Sequence, residues 1–525
     1  MDITVNGITV KAETGGEVVF NGASKANIDG EDVIFTGFQY TGGNIENEGT
    51  SNSDKHVINV KGSNVTISQI NISDYISYKY LNIKVESKNT TVSYCNFENR
   101  LNLIDQNIVS IIVGETPGNH KIEYCSFKNF GGTGNGDLGI EPIRIGTSTT
   151  ALNNSNSIVQ YCYFTSCEGD GEIISNKSGQ NIFRYNTFEA NIISELVLRH
   201  GDAAIVYSNF FVNSARGIRI QEGSDHLIFN NYFGNLTSKS IHLADDDTDG
   251  IENVIIAHNT IVDSQRIRLS DAASDPTEAV PSNITLINNI FSDPQSGSGL
   301  FRDATGNETW YGNIINGTLG ITTPSSGTTN IDPKLVENTD GYYELSSTSP
   351  AIDASVDNST VFPFPTYTDL TYDNEILFDL LSSVRPTDAT LKDVGAQEYN
   401  ASAEVKPYVS ADNTGPIYLM PEAPVLSTND FIENLVNKIN VYPNPLTGNE
   451  ITINFNFNSE TTIEIQLYDI TGRKLENLIN TNYSTGQNTI SKTLDIPAGL
   501  YLLTTNTTDS SGNTITSKVE KLVKL

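Results

Sequence analysis

Two carboxylates, one lysine and one arginine fall within a single stretch of the chain: Asp170, Glu172, Lys177 and Arg199. Asp170 and Glu172 are two residues apart, so on a strand their side chains share one face. Lys177 lies five beyond Glu172, past a run ending S-N-K-S, and Arg199 follows one repeat later. If the repeats stack, all four meet on one surface. A hard cation, a base and an acid would then act together on one acidic sugar. Taken singly, each residue is more often a solvated charge, so the weight rests on the repeat that carries them.

That repeat is readable directly. V-S-Y-C-N-F (92–97), I-E-Y-C-S-F (122–127), V-Q-Y-C-Y-F (159–164) and F-R-Y-N-T-F (183–188) share one pattern with V-Y-S-N-F-F (206–211), I-F-N-N-Y-F (228–233), I-A-H-N-T-I (256–261) and L-I-N-N-I-F (286–291). The Cys/Asn column stands at 95, 125, 162, 186, 209, 231, 259 and 289, with spacings of 22 to 37 residues. Short strands in rungs of this length predict a right-handed parallel β-helix, with longer spacings as loops inserted in a rung. A buried Asn column satisfies its amides on the backbone above and below, and Phe and Ile in register fill the interior. Earlier rungs are expected at 33–38 and 65–70. Cys95, Cys125 and Cys162 take the ladder position and read as small buried residues. Cys167 stands apart, and no C-x-x-C spacing suggests zinc.

The length of 525 residues suits a solenoid better than one ordinary domain. The composition is β-like, with 41 Gly, 23 Tyr and 21 Phe against two Met. The net charge of −32 argues against nucleic acid and anionic membranes as partners. It also opposes a polyanionic substrate, unless a cation and a local Lys/Arg patch overcome the repulsion. An acidic surface equally suits solubility in salty surroundings. No run of about 20 apolar residues predicts a membrane span. No signal peptide is visible: Met1-Asp-Ile-Thr-Val-Asn-Gly already reads as strand and turn, so a truncated start is expected.

Regularity fades after about Asn313. The solenoid is expected over 1–400, with 320–400 as its irregular end, 401–435 as a linker, and 436–525 as a small β-sandwich of alternating strands. This last region resembles the C-terminal sorting domains of the type IX secretion system, through Y-P-N-P (442–445), Y-D-I-T-G-R (468–473), G-L-Y (499–501) and the basic end 518–525. The resemblance implies a secreted or cell-surface protein that engages that secretion machinery.

Residues 15–400 resemble the family six polysaccharide lyases, which include alginate lyases and chondroitinase B. The matching motifs are E-P-I-R-I-G-T-S (141–148), G-E-I-I-S-N-K-S (171–178), N-T-F (186–188), L-R-H-G (198–201) and G-I-R-I (217–220). Residue by residue, the resemblance puts Lys177 on the catalytic base and Arg199 on the catalytic acid. Asp170 and Glu172 fall on two calcium ligands, and Arg144, His200 and Arg219 on positions lining the substrate groove. Asp170 replaces the usual Glu, and one extra residue separates Lys177 from Arg199. The third ligand, normally Asn, aligns with Leu138, which cannot ligate; Asp137 or Asn135 would replace it after a local shift. The implied reaction is calcium-dependent β-elimination on a uronate polymer, alginate first and chondroitin or dermatan sulfate second.

Simpler readings stand beside these. Arg144 and Arg219 could form inter-rung salt bridges, and His200 could be a satisfied groove histidine. D-D-D-T-D-G (245–250) reads as a solvated acidic loop rather than a second calcium loop, because no Glu follows at the EF-hand distance. A polygalacturonase-like hydrolase would need paired or tripled Asp, whereas here the carboxylates stand with Lys and Arg. A non-catalytic polysaccharide-binding β-helix is the remaining rival.

Overall fold

Each repeat closes one rung of three short strands. In one rung Ile182–Arg184, Thr187–Glu189 and Glu195–His200 follow in turn, each pairing in parallel with its counterpart one rung on. Stacking builds three parallel sheets of 12, 13 and 13 strands, the β-helix that the repeat predicts. The structure is a computed structural model and describes residues 1–46, 55–131, 139–244, 250–271, 279–293, 297, 299–356, 378–386, 391–400, 403–420, 440–442, 446, 448–457, 461–469, 473–483, 486–497, 499–508 and 514–524. Two compact units divide the chain, 1–423 and 424–525.

The predicted ladder forms inside the solenoid. The backbone N–H of Cys162 donates to Asn186 Oδ1 at 2.9 Å, and the same bond recurs from Asn186 to Asn209, Asn231, Asn259, Asn289 and finally Asn313. Beneath it the rings of Phe97, Phe127, Phe164, Phe188, Phe211 and Phe233 stack face to face, 4.7–5.1 Å between centroids. Cys167, the outlier in sequence, opens a second ladder: its N–H donates to Asn191 Oδ1 at 3.0 Å, and Asn191 in turn donates to Ser214 Oγ.

Asn231 shows what the ladder carries. Its Oδ1 accepts from the N–H and Nδ2 of Asn209, and its Nδ2 donates to Val206 O, Phe229 O and Asn259 Oδ1, all at 2.9–3.0 Å and fully buried. Each buried group left unpaired costs about 1–3 kcal/mol. Asn231→Ala is therefore expected to lower unfolding free energy by about 3 kcal/mol or more. Exposed Thr237→Ala should shift it by less than about 0.5 kcal/mol. Denaturant midpoints at unchanged slope check this.

The stretch 401–435, expected as a linker, is corrected in its first half. Residues 403–420 belong to the first unit and run back along the outside of the solenoid. Val405 is buried and its carbonyl accepts from Asn338 Nδ2 at 2.8 Å. Further along, Val409 O accepts from Thr187 Oγ1, Gly415 N–H donates to Tyr124 O, and Ile417 N–H donates to Gln69 Oε1. Tyr408 packs edge-on to Tyr161 and Tyr185. This strap crosses rungs instead of joining one, so it carries no strand period in sequence. The irregular end is anchored by buried Arg385, which donates to Glu398 and to the carbonyls of Gly395 and Ala396.

The second unit, by itself, is a sandwich of two antiparallel sheets. One holds Asn440–Tyr442, Glu450–Phe457 and Gly486–Thr493. The other orders Lys474–Tyr483, Thr461–Asp469, Gly499–Thr508 and Thr514–Lys524. Alternate apolar residues, among them Ile451, Ile453, Ile463, Ile465 and Leu503, form its core.

Candidate active site

The 12-stranded sheet carries the charged residues. Ile143–Gly146, Glu172–Lys177, Glu195–His200 and Arg216–Ile220 are consecutive strands in it. Register puts Arg144, Ser175, Val197 and Arg219 in one column. Glu172, three residues before Ser175, pairs with Glu195, two before Val197. On the other side Gly146 pairs with Lys177, each two residues past the column, and Lys177 with His200, three past Val197. Apolar partners such as Ile143, Ile145, Ile174 and Leu196 point into the core, so the alternation turns the charged set outward.

The extra residue between Lys177 and Arg199 is absorbed by irregular register. Pairing shifts between Glu172 and Ile174 and again between Asn176 and Lys177. Arg199 is left in the second shift, opposite no single partner, as bulges beside functional sites do. Gly146 makes room on the other side. Its φ is +79°, and a Cβ there would stand 2.6 Å from Lys177 O.

Glu172 is the electrostatic centre. Its Oε1 accepts from Arg199 Nη1 at 2.6 Å and lies 3.5 Å from Arg219 Nη2. Burial pushes its carboxyl up, but the Ser175 hydroxyl and the Arg199 and Arg219 guanidiniums outweigh burial and hold it below the usual range. Glu195 lies 3.4 Å from Arg219 Nε and 3.5 Å from Arg216 Nη1. Arg144 chelates Glu141 through Nε at 3.0 Å and Nη2 at 2.7 Å. Burial pushes Glu141 up to about 7 against Arg144, and Asp170 and Glu172 add to the rise. Arg144 and Arg219 thus do form ion pairs within the sheet. Their guanidiniums remain about a fifth exposed.

Lys177 is different. It is half-buried and makes no hydrogen bond or ion pair among the described residues. Burial lowers its pKa; Glu172 opposes this, and Arg144 and Arg199 reinforce it. His200 is held at both ends, Nδ1 against Glu222 Oε2 at 2.6 Å and Nε2 against Ser148 Oγ at 3.0 Å.

Asp170 departs from expectation. It lies before the strand, where Oδ1 accepts the Glu172 N–H at 3.1 Å and Oδ2 the Gly139 N–H at 2.8 Å. Asp137, with Asn135 and Leu138, lies outside the described residues, as do 245–249. No group of three His, Cys, Asp or Glu side chains among the described residues could hold a metal ion. The two described carboxylates nonetheless suit a hard cation. Glu172 Oε2 is buried without a hydrogen bond of ordinary geometry, and a Cβ on Gly139 would meet the carboxylate of Asp105. That leaves a cradle of oxygens without methyl groups. Glu141, Glu195, Gln221, Glu222 and Lys79 were missed in sequence. Glu141 lay inside the E-P-I-R-I-G-T-S stretch, three before Arg144, and Glu195 four before Arg199, where the strand alternation was the signal for it.

The fold and site thus define a parallel β-helix with an outward cluster of arginines, glutamates and a lysine, Lys177, that has no hydrogen bond or ion pair among the described residues, on a single sheet. Residues 4–353 match the family described as chondroitinase B, and the chain belongs to that family of polysaccharide lyases. Residues 440–522 match the secretion system C-terminal sorting domain. No curated protein matches the chain. Among solved structures, the PL6 family alginate lyase AlyGC is similar at 22% identity and TM-score 0.56, covering 66% of this chain and 51% of that one. This chain therefore spans about half the length of AlyGC. A mannuronic acid specific family 6 lyase from human gut microbiota matches at 22% identity and TM-score 0.53, over 63% and 82% of the two chains. A PL6 alginate lyase complexed with trisaccharide matches at 20% and 0.53, over 66% and 82%. At these identities the likeness concerns the fold.

Proposed function

We propose that this chain is an exported lyase that cleaves a uronate polymer, alginate first, by β-elimination on the 12-stranded sheet. The observation that carries the reading is Lys177: a half-buried lysine with no hydrogen bond or ion pair among the described residues and a lowered pKa, beside two guanidiniums. Alginate is favoured because two of the similar solved structures named above are alginate lyases and the third is a mannuronic acid specific family 6 lyase. The description of the matching family favours the second substrate, a chondroitin or dermatan sulfate. The sorting domain supports export through the type IX machinery.

In this mechanism neutral Lys177 removes the C5 proton of a uronate. The electron pair of that C–H bond becomes the C4=C5 double bond, and the C4–O4 bond breaks. Arg199 stabilises the charge arriving on O4, which takes its proton from Arg199 or from water; arginine, with a pKa above about 12, is a poor acid unaided. Arg144, Arg219 and His200 orient the sugar carboxylates and hydroxyls. Asp170 and Glu172, with Asp137 as the resemblance implies or with Asp105, whose carboxylate lies against Gly139, would hold calcium, which would supply neutralisation of the substrate carboxylate and so acidify the C5 proton.

Lys177 must be neutral, so activity should rise with pH through its pKa. The acid limb of kcat/KM against pH should sit below the ordinary lysine value, because burial, with Arg144 and Arg199, lowers it. A limb at or above the free-lysine value would remove Lys177 as the base. Ultraviolet absorbance of unsaturated uronate on alginate and on chondroitin and dermatan sulfates, with calcium and with a chelator, tests substrate and metal together. Chelator-sensitive signal on alginate is expected. Signal that ignores the chelator would remove the cation from the mechanism.

A further inference from the structure

The sheet that bears Lys177 continues through several rungs toward the N-terminus, and its outer face there is not blank. Register carries the Lys177 column backwards through Gly146. One residue beyond the pairs Ile83–Ile111 and Ile111–Ile145 it passes Ile112 and reaches Lys84. Beyond the pairs Ile83–Val60 and Ile28–Val60 it reaches Lys61 and Asp29. The neighbouring column runs from Arg144 through Ser110 to Asn82, Asn59, Asn27 and Asp2. A cavity of about 360 Å³ opens on these early rungs, lined by Asp2, Asn27, Asn59, Lys61, Lys84 and Glu86 with Asp29. That volume lies within the range of small-ligand sites, about 300–1,000 Å³.

Three features mark it as more than a dimple. Lys61 and Lys84 sit side by side on adjacent strands, and neither forms an ion pair among the described residues, although Asp2, Asp29 and Glu86 line the same cavity; like charges placed so destabilise a sheet, and a carboxylate seated between them relieves that. The amides form a continuous strip, Asn82 to Asn59 at 3.2 Å, Asn59 to Asn27 at 3.2 Å and Asn27 to Asp2 at 2.7 Å. Such a strip offers donors and acceptors to hydroxyls. Between the cavity and Lys177 the two columns carry Ser110, Ile112, Arg144, Gly146 and Ser175, and Lys79 donates to Ser110 Oγ at 3.0 Å, so the path holds two cations and otherwise uncharged side chains. Lys84 stands three rungs from Lys177, roughly 14 Å at the usual strand spacing, and one rung is close to the length of one 1,4-linked sugar.

We propose that this cavity is a remote subsite that holds a uronate of the same polymer, its carboxylate between Lys61 and Lys84, about three sugars from the cleaved bond. The proposal rests on the polyuronate reading above and extends it: the enzyme grips long chains through rungs that take no part in the chemistry. An acidic protein thereby keeps a polyanion aligned along its sheet.

The test uses the full chain with Lys61→Gln/Lys84→Gln, and Lys11→Gln/Lys334→Gln as a control of equal charge change elsewhere. On alginate polymer the first pair should raise KM about 10-fold with kcat unchanged, while cleavage of an alginate trisaccharide, too short to span the distance, stays the same. The control pair should alter neither. Equal loss on polymer and trisaccharide, or no loss on either, overturns the subsite. The same substitutions in a Lys177→Ala background, run in gels containing alginate or chondroitin sulfate, separate this from the lyase reading. Retardation that depends on Lys61 and Lys84 supports the subsite even if no polymer is cleaved. Retardation that ignores them sinks it even if the enzyme is a lyase.

Discussion

Lys177→Ala is expected to lower kcat about 10³-fold, within the usual range for loss of a general base, and to leave thermal stability unchanged. Both halves follow from the same geometry. The ammonium has no hydrogen bond or ion pair among the described residues, so removing it breaks no contact. Its half-burial makes the charged form costly, so the wild type should lose slightly in unfolding free energy as pH falls and the lysine must charge in the folded state. The variant should lack that slope. Lys177→Arg should be equally inactive, since a guanidinium stays protonated at any working pH. Steady-state kinetics and melting curves on the three proteins check this. Activity retained in Lys177→Ala within 10-fold would mean that another group abstracts the proton.

Glu172→Gln should damage both stability and activity. The buried carboxylate joins Arg199 and Arg219, and its removal leaves two guanidiniums without their shared anion. Breaking a buried pair from one side costs about 3–5 kcal/mol. The lower end is expected here, because the guanidiniums are 33% and 20% exposed and water takes up part of the charge. Activity should fall about 10²-fold or more as Arg199 loses its anchor. The pH profile gives a sharper signature. Glu172 raises the Lys177 pKa, so its neutralisation should move the acid limb to lower pH. A merely structural glutamate would lower activity through the folded fraction and leave the limb in place.

How much of this was legible in sequence differs by element. The Asn column at 186, 209, 231, 259 and 289 showed the solenoid outright, because a buried amide that bonds the next rung must recur in every rung. Lys177 and Arg199 followed from motif and spacing. Glu141 and Glu195 lay on the same outward face, yet nothing in the spacing said that arginines would need them as partners; that requires knowing which rungs are neighbours. The bulge at Arg199 read as an insertion because sequence shows a surplus residue without showing where the ladder absorbs it. The strap of 403–420 was invisible for a different reason: it packs across rungs through isolated contacts such as Ile417 on Gln69, and no periodicity marks such a path. Asp170 was placed on the strand by counting, whereas its side chain caps the strand's first N–H.

The central claim is elimination on this sheet, and its most direct test is the chemistry of the product. The full chain would be incubated with alginate in heavy-oxygen water and the fragments weighed by mass spectrometry. Elimination predicts fragments with an unsaturated non-reducing end, lighter by one water than hydrolytic ones and free of solvent oxygen at the cleaved bond. Saturated fragments carrying solvent oxygen would contradict the account, and would mean that the carboxylates around Glu172 activate water while Lys177 only binds.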